Sequence, residues 1–273
     1  MDQTEAAIEK KPRVLVVANQ KGGVGKTTTA INLGTALAAV GAPTLIIDID
    51  PQGNASTGLG MPRSERKVSI YDVLMGQAKL AEAIQPTRIP KLSLVPSTVD
   101  LSGAELELVG VERRNFRLKD ALAEYSAHGQ SPFSYALIDC PPSLTLLTVN
   151  AMVAADAVVV PLQCEFFALE GLTQLLNTIE LVRENINPDL ELQGIVLTMY
   201  DKRNRLSDQV AADVRAHLGD KVYNTVIPRN VRISEAPSHG LPALVYDLKC
   251  PGSQAYIKLA GEMIQRERVR TAA

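Results

Sequence analysis

Short runs of apolar, often β-branched residues alternate along the chain with stretches in which apolar residues recur at helical spacing. Several of the short runs are apolar throughout, as expected for strands buried on both faces of a sheet. The runs predicted to be strands are 13–18, 44–48, 92–96, 135–139, 157–161, 194–199 and 222–227. The helical stretches are 30–40, 114–126, 170–185 and 252–266. This alternation predicts an α/β fold, a single doubly wound domain whose mostly parallel central sheet is flanked by helices.

No linker rich in Pro, Gly or Ser divides the chain, so residues 12–273 are predicted to form one domain behind a charged N-terminal tail, 1–11. In such sheets, ligands bind outside the carboxyl ends of the strands. Three polar segments, 19–29, 48–54 and 139–143, each follow a predicted strand directly. They are therefore expected to meet at one edge of the sheet.

Composition narrows the class of protein. The chain has 273 residues, of which 46% are hydrophobic and 21% charged, as in soluble globular proteins. Its net charge of −2 gives no overall positive field, so any contact with nucleic acid would need a local basic patch. The three widely spaced cysteines favour a reducing compartment over a disulfide framework. Because no signal-peptide-like or membrane-spanning apolar run occurs, we expect a cytoplasmic protein.

The segment NQKGGVGKTTT (19–29) has the make-up of a phosphate-binding loop between a strand and a helix. Its glycines let backbone N–H groups approach phosphate oxygens, and the N-terminus of the helix adds partial positive charge. Lys26 is expected to reach the β- and γ-phosphates, and the Thr27 hydroxyl to bind Mg²⁺. The predicted nucleotide-contacting residues of the loop are Lys21, Gly22, Gly23, Val24, Gly25, Lys26, Thr27 and Thr28.

Three aspartates follow predicted strands beside this loop. Asp139 closes the strand 135–139, a position from which a carboxylate can hold Mg²⁺, often through water. Asp48 and Asp50 are two residues apart, so strand alternation would send both carboxylates to the same side. We assign Asp48 to the magnesium shell and Asp50 to positioning the attacking water, although the two roles could be exchanged.

Gln20 departs from the common loop pattern G-x-x-x-x-G-K-[ST], which needs glycine at that position, and a second lysine, Lys21, follows it. A second lysine so close to Lys26 would repel it unless both face phosphate groups. Because Lys26 already occupies the loop of its own chain, Lys21 is predicted to reach a nucleotide held by another copy. KGGVGKTT resembles the deviant phosphate loop of the ParA/MinD ATPases, and that resemblance implies a catalytic lysine at 21 within an ATP sandwich homodimer.

The resemblance is strongest to chromosomal ParA-type (Soj-like) partition ATPases. It is carried by segments 19–33, 47–60, 137–144 and, most specifically, IPRNVRISEAPSHG (227–240). A nitrogenase-like iron protein is excluded because Cys140 and Cys164 do not stand in its cluster segments. MinD-like proteins end in an amphipathic membrane helix, whereas GEMIQRERVRTAA has too little apolar area for one, so no membrane partner is expected. The helix is expected to pack on the domain through Tyr256, Leu259, Met263 and Ile264.

Two basic clusters, 200–205 and 229–232, are candidates for contact with DNA. The resemblance implies that Arg203 and Arg232 grip DNA phosphates, a contact that carries no base preference. It also implies that Pro228 and Asn230 line the adenine. Nucleotide and DNA contacts would then share one segment of the chain.

The resemblance implies an ATPase that uses ATP and Mg²⁺, dimerises with ATP and binds double-stranded DNA without sequence preference. Hydrolysis to ADP and phosphate would be slow and stimulated by a ParB-type centromere-binding partner, on the nucleoid, to segregate chromosomal or plasmid DNA. One alternative is a ParA-like ATPase for another cargo, such as a chemoreceptor cluster or a cellulose-synthesis complex. The other is a positioning ATPase recruited to the membrane.

Overall fold

The computed structural model describes residues 11–127 and 131–272, so almost all of the predicted tail 1–11 lies outside the described residues. Within these ranges seven strands form one sheet in the order β3-β4-β2-β5-β1-β6-β7. The strands are β1 (Arg13–Val17), β2 (Thr44–Asp48), β3 (Gln85–Pro86), β4 (Leu92–Val95), β5 (Tyr135–Asp139), β6 (Ala157–Gln163) and β7 (Glu191–Thr198). Neighbouring strands are parallel except β3 and β4. The predicted doubly wound, mostly parallel sheet is confirmed.

Helices flank both faces of the sheet. They are α1 (Lys26–Ala39), α2 (Asn54–Gly58), α3 (Ile70–Met75), α4 (Leu80–Ala83), α5 (Ala104–Glu107), α6 (Arg117–Ala127), α7 (Leu146–Ala154), α8 (Ala168–Asn185), α9 (Arg205–Leu218), α10 (Val231–Glu235), α11 (Ala243–Tyr246) and α12 (Pro251–Ala272). Short 3₁₀ segments occupy Arg63–Glu65, Val99–Ser102, Arg114–Phe116, Gly219–Lys221 and Ala236–His239.

Strand β1 shows how one apolar run serves two cores. Val14 and Val16 belong to the core that contains residues of α3 and α6 to α9, whereas Leu15 and Val17 belong to the core that contains residues of α1 and α12. Successive side chains of a strand point to opposite faces, so a strand covered by helices on both sides must be apolar throughout. This is the pattern from which the strands were predicted.

Helix α1 follows the predicted apolar stripe except at its end. Ala30, Leu33 and Leu37 are fully buried, but Val40, predicted to share their face, is 50% exposed. The helix ends at Ala39, and Gly41 turns the chain with φ +94°. The buried apolar stripe therefore ends at Leu37, and Val40, the next residue at helical spacing, lies just beyond the helix.

The predicted strand 222–227 is wrong. Val222 and Pro228 form only isolated bridges, to Ile195 and Tyr200. Between them, the backbone N–H groups of residues 224 and 225 donate to the Glu262 carboxylate of α12 at 2.8 and 2.9 Å. A side chain from a distant helix thus replaces the strand ladder in this segment.

The C-terminal helix α12 packs on the domain as expected. Tyr256, Leu259 and Met263 are at most 1% exposed, and Ile264 packs against the same core. Within residues 11–127 and 131–272, no helix combines the length and apolar character needed to cross a membrane.

We expect Met263→Ala to lower the free energy of unfolding by about 2–5 kcal/mol, because it leaves a cavity beneath α12. Val269→Ala on the same helix removes a side chain that is 65% exposed. It should change the free energy of unfolding by less than about 0.5 kcal/mol. Equilibrium denaturant titration of both variants measures the difference. Equal effects would contradict the packing of this helix.

Candidate active site

The sheet order brings three polar segments to one edge. Strand β5 lies between β2 and β1, with Asp139 in register with Asp48 on one side and Val17 on the other. The loop after Val17 therefore begins beside both aspartates. Residues 19–29, 48–54 and 139–143 lie together at the carboxyl ends of adjacent strands.

The loop after β1 depends on glycine for its backbone shape. Gly25 is the N-cap of α1 with φ +89°, and Gly23 has φ +76°. No heavy atom of the described residues would lie within 4 Å of a Cβ at Gly23, apart from its chain neighbours, so the dihedral angle and not space requires glycine there. Gly22 and Gly23 are exposed, which leaves their backbone open to a ligand.

Side chains of the neighbouring strand ends anchor the loop. The Thr198 hydroxyl, at the end of β7, donates to the carbonyl of buried Val24 at 2.8 Å. The Asn19 amide donates to the Pro161 carbonyl at 2.8 Å and accepts from the Lys21 N–H at 3.0 Å. No motif marks Thr198 as a partner of this loop, because it lies 174 residues from Val24 in the chain.

Lys26 opens α1 with its side chain buried in the loop. The residue is 7% exposed, and its ammonium donates to the Lys21 carbonyl at 3.0 Å. Burial lowers the pKa of Lys26 below its usual value, and the negative charge of Asp139 offsets only part of this effect. An ammonium has three donors, so further N–H groups can serve a phosphate. Thr27 and Thr28 follow on the first turn, both half-buried.

Asp139 provides the clearest candidate for holding a cation. It is fully buried, and among the described residues neither carboxylate oxygen has a partner with good hydrogen-bond geometry, although the Thr27 side chain lies near enough to act on its pKa. Burial raises its pKa well above the usual range, as does the charge of Asp48, whereas Thr27 and Lys26 act in the opposite direction. A buried carboxylate whose hydrogen bonds are incomplete is unfavourable unless a cation compensates its charge. Its oxygens therefore fit Mg²⁺, which prefers oxygen ligands.

Asp48 and Asp50 have different surroundings. Asp48 is fully buried, and its Oδ2 accepts from the Ser56 N–H at 2.8 Å and the Ser56 hydroxyl at 2.7 Å. Its Oδ1 accepts from the Asp50 N–H at 3.3 Å. Burial raises the pKa of Asp48 to about 6, against the opposing effect of the Ser56 hydrogen bonds. Asp50 is 7% exposed and accepts from the Gln52 N–H at 2.9 Å, so it is held less firmly.

Within residues 11–127 and 131–272, no three His, Cys, Asp or Glu side chains are grouped to hold a metal ion. A magnesium ion here would take one or two protein oxygens and complete its shell with water and phosphate. Thr27 and Asp139 supply such oxygens, whereas those of Asp48 already accept hydrogen bonds from the chain.

Lys21, unlike Lys26, lies at the surface. Its ammonium pairs with Glu165 Oε2 at 2.6 Å, and the two side chains are 41% and 45% exposed. Glu165 also accepts from the Gln163 amide. Ion pairs this exposed contribute about 0–1 kcal/mol to stability, so Lys21 can change partner at little cost.

Parts of the two basic clusters, 200–203 and Arg229, line one groove. The Tyr200 N–H donates to the Ile227 carbonyl at 3.1 Å, and the Arg229 N–H donates to the Tyr200 carbonyl at 3.0 Å. These hydrogen bonds join the loops 200–203 and 224–229, the second of which contains Pro228. The two loops and the start of α12 line a cavity of about 850 Å³.

Both predicted DNA-contacting arginines are exposed, with side-chain accessibilities of 89% for Arg203 and 53% for Arg232. Arg203 pairs with Asp201 at 2.9 Å, and Arg232 pairs with Glu235 at 2.9 Å. Asn230 caps α10, because its Oδ1 accepts from the Arg232 N–H at 3.0 Å. The candidate adenine residue and the candidate DNA residue thus belong to one capped turn.

A glycine loop between a strand and a helix, a buried lysine on the first helical turn, and buried aspartates on adjacent strands define the P-loop class of nucleotide hydrolases. Residues 12–192 match the family model described as an AAA domain. The chain is 67% identical over 260 residues to the chromosome partitioning protein ParA of Caulobacter vibrioides, covering 95% of this chain and 97% of that protein. It is 49% identical over 251 residues to the sporulation initiation inhibitor protein Soj of Bacillus subtilis, covering 92% and 98%.

The chain therefore belongs to the ParA/Soj family of chromosome-partitioning ATPases, and the resemblance drawn from its motifs is confirmed. A solved structure of cobyrinic acid a,c-diamide synthase from Mycobacterium smegmatis, with bound ADP and magnesium, is also similar. Its TM-score is 0.81 at 38% identity, covering 94% of this chain and 96% of that one.

Proposed function

We propose that this ATPase is a dimerisation switch that binds DNA in its ATP state and releases it on hydrolysis. The contrast between the two loop lysines carries the proposal. Lys26 is buried in its own loop, whereas the Lys21 side chain is exposed at the same edge of the sheet. Lys26 serves the nucleotide of its own chain, and Lys21 exchanges Glu165 for the nucleotide of a second copy.

Mg-ATP would bind at the carboxyl edge of the sheet. The N–H groups of residues 21–28 and the Lys26 ammonium face the phosphates, while Pro228 and Asn230 contact the adenine. Thr27 and Asp139 would hold Mg²⁺, with Asp48 in its outer shell. When bound, the ion neutralises charge on the phosphates. The M. smegmatis structure with ADP and magnesium supports this choice of ligands.

Hydrolysis needs a water held in line with the terminal phosphate. We assign this role to Asp50, because it is less buried than Asp48 and the oxygens of Asp48 already accept hydrogen bonds from the chain. Slow turnover suits a switch whose ATP state must last until a partner arrives. A ParB-type centromere-binding protein would shorten that state.

The DNA-bound state rests on Arg203 and Arg232, which in a dimer would combine two half-patches into one footprint. Exposed arginines suit phosphate groups and need no base sequence. Their location in the segment that carries Pro228 and Asn230 links DNA contact to nucleotide state. By its similarity to the Caulobacter protein, the chain would act on the nucleoid to segregate chromosomal DNA, or a plasmid. The burial of Tyr256 and Met263 supports DNA over a membrane as the surface bound.

If about four phosphates are neutralised per dimer, affinity for random-sequence duplex DNA should fall roughly a hundredfold between about 50 and 200 mM salt. Arg232→Glu should abolish binding, since it reverses charge in both half-patches. Arg113→Glu is the matched control, because Arg113 is also an exposed arginine in an ion pair, with Asp120. Fluorescence anisotropy with ATP measures all three proteins. A flat salt response would contradict an electrostatic footprint.

A further inference from the structure

Arg66 is a buried cation that the proposed reaction does not use. It is 7% exposed, and none of the ion pairs in residues 11–127 and 131–272 includes it. Its guanidinium donates to the Ser97 carbonyl at 3.0 Å, the Thr57 hydroxyl at 2.8 Å and the Met61 carbonyl at 2.9 Å. A buried charge is unfavourable unless its surroundings compensate it, so the burial of the Arg66 guanidinium calls for a structural or functional explanation.

Hydrogen bonds lead from Arg66 to the candidate active site. The Ser97 residue whose carbonyl accepts from Arg66 donates its own N–H to the Ser56 hydroxyl at 3.1 Å. The Ser56 hydroxyl in turn donates to Asp48 Oδ2 at 2.7 Å. Ser56 and Ser97 are both fully buried. One chain of bonds, Arg66–Ser97–Ser56–Asp48, thus connects a buried cation to a buried anion.

Arg66 also lies against the loop that follows Asp50. Gly53 has φ +64°, and a Cβ there would lie 2.3 Å from Arg66 Nη1 and 3.2 Å from the Ser97 carbonyl oxygen. The Gly53 N–H donates to the Asp50 carbonyl at 2.8 Å. Segment 48–57 therefore supplies Asp48 and Ser56 to this chain of hydrogen bonds. It also lies against Arg66 through Gly53 and Thr57.

We propose that Arg66, Ser97 and Ser56 form a positioning relay that fixes Asp48 and, through the Asp50 N–H that Asp48 accepts, orients Asp50 for hydrolysis. Ser56 and Arg66 are positioning residues, acting through the two aspartates and not on the nucleotide. The inference rests on the proposed role of Asp50. It goes beyond that role by assigning control of turnover to residues that are not proposed to touch the nucleotide or the attacking water.

The relay should affect turnover more than nucleotide binding. Its hydrogen bonds all lie within residues 48–97, whereas the loop 19–29 is anchored separately by Thr198 and Asn19. Removing the Ser56 hydroxyl leaves that anchoring intact but takes from Asp48 one of its two bonds to Ser56. Hydrogen bonds to charged groups are among the stronger ones in proteins, so the carboxylate should lose its fixed orientation.

The test compares kcat with the Kd for ATP in four purified full-length variants. Ser56→Ala should lower kcat about tenfold or more while the Kd for a fluorescent ATP analogue changes less than about twofold. Ser56→Thr, which keeps the hydroxyl, should recover most of kcat. Arg66→Lys keeps the charge but loses the planar fork, and should reduce kcat like Ser56→Ala. Ser253→Ala is the control for loss of a buried hydroxyl. Ser253 is fully buried on α12, and its hydroxyl makes a hydrogen bond with the Cys250 thiol.

Melting temperatures without nucleotide separate positioning from simple loss of stability. Ser56→Ala and Ser253→Ala should lose similar stability, but only Ser56→Ala should lose kcat. A Ser56→Ala kcat within twofold of the parent, or no recovery in Ser56→Thr, would overturn the relay. If Ser56→Ala does not fold, an unchanged kcat in Arg66→Lys would overturn it instead. An Asp50→Ala variant with normal hydrolysis would refute the role of Asp50, whereas the Ser56 comparison would still decide whether the relay controls turnover.

Discussion

Asp50→Ala is expected to slow ATP hydrolysis by at least about a hundredfold while ATP binding is retained, because positioned acid–base groups contribute about 10²–10⁴ to such rates. Asp50 is 7% exposed, whereas Asp48 is fully buried and held by hydrogen bonds. The variant should therefore bind ATP, dimerise and remain dimeric. Phosphate release measures the rate, and light scattering measures the dimer.

Asp189→Ala is the control for the loss of one aspartate. Asp189 is exposed just before β7, at the opposite edge of the sheet from the nucleotide site. Its removal should leave hydrolysis and dimer lifetime unchanged. Unchanged hydrolysis in Asp50→Ala would move the positioning of water to another group, with Asp48 the next candidate.

Lys21→Ala is expected to weaken ATP-dependent dimerisation at least about thirtyfold, because removing one partner of a buried interfacial charge pair costs 2–5 kcal/mol or more. In the single chain, Lys21 pairs with Glu165 at the surface, so its loss should leave the fold intact. ATP binding should persist through Lys26, which is buried in the loop. Light scattering with ATP and with ADP measures the dimer, and a fluorescent ATP analogue measures binding.

Lys79→Ala is the matched control, since Lys79 is also an exposed lysine in an ion pair, with Glu124 at 3.1 Å. It should dimerise like the parent chain. A Lys21→Ala variant that is still fully dimeric with ATP would show that this lysine does not cross between subunits. The pair with Glu165 would then be its functional contact.

The fold could be predicted from sequence because its strands are covered on both faces. A strand such as β1 supplies Val14 and Val16 to one core and Leu15 and Val17 to the other, so its apolar run is conspicuous. The site could be located because parallel strands place their carboxyl ends at one edge. Asp48 and Asp139 are 91 positions apart in the numbering, yet they are direct partners in the sheet.

Long-range hydrogen bonds and ion pairs made by side chains could not be predicted from the sequence. Glu262 replaces a strand partner in 222–227, and Thr198 anchors Val24, across 38 and 174 residues. Lys21 meets Glu165 across 144 residues, and Ser97 meets Ser56 across 41. Hydrophobic periodicity reports burial and carries no information about which polar groups meet. The contacts that adjust the candidate site were therefore beyond prediction, whereas the three segments that meet at the edge of the sheet were not.

Binding of the purified protein to random-sequence duplex DNA and to anionic liposomes, with ATP and with ADP, tests the switch most directly. We predict DNA binding that requires ATP, is lost in Arg232→Glu, and has no counterpart on liposomes. Binding to DNA that is equal with ATP and ADP would contradict a nucleotide switch. Binding to liposomes but not to DNA would contradict the DNA footprint and make a membrane-positioning ATPase the better account.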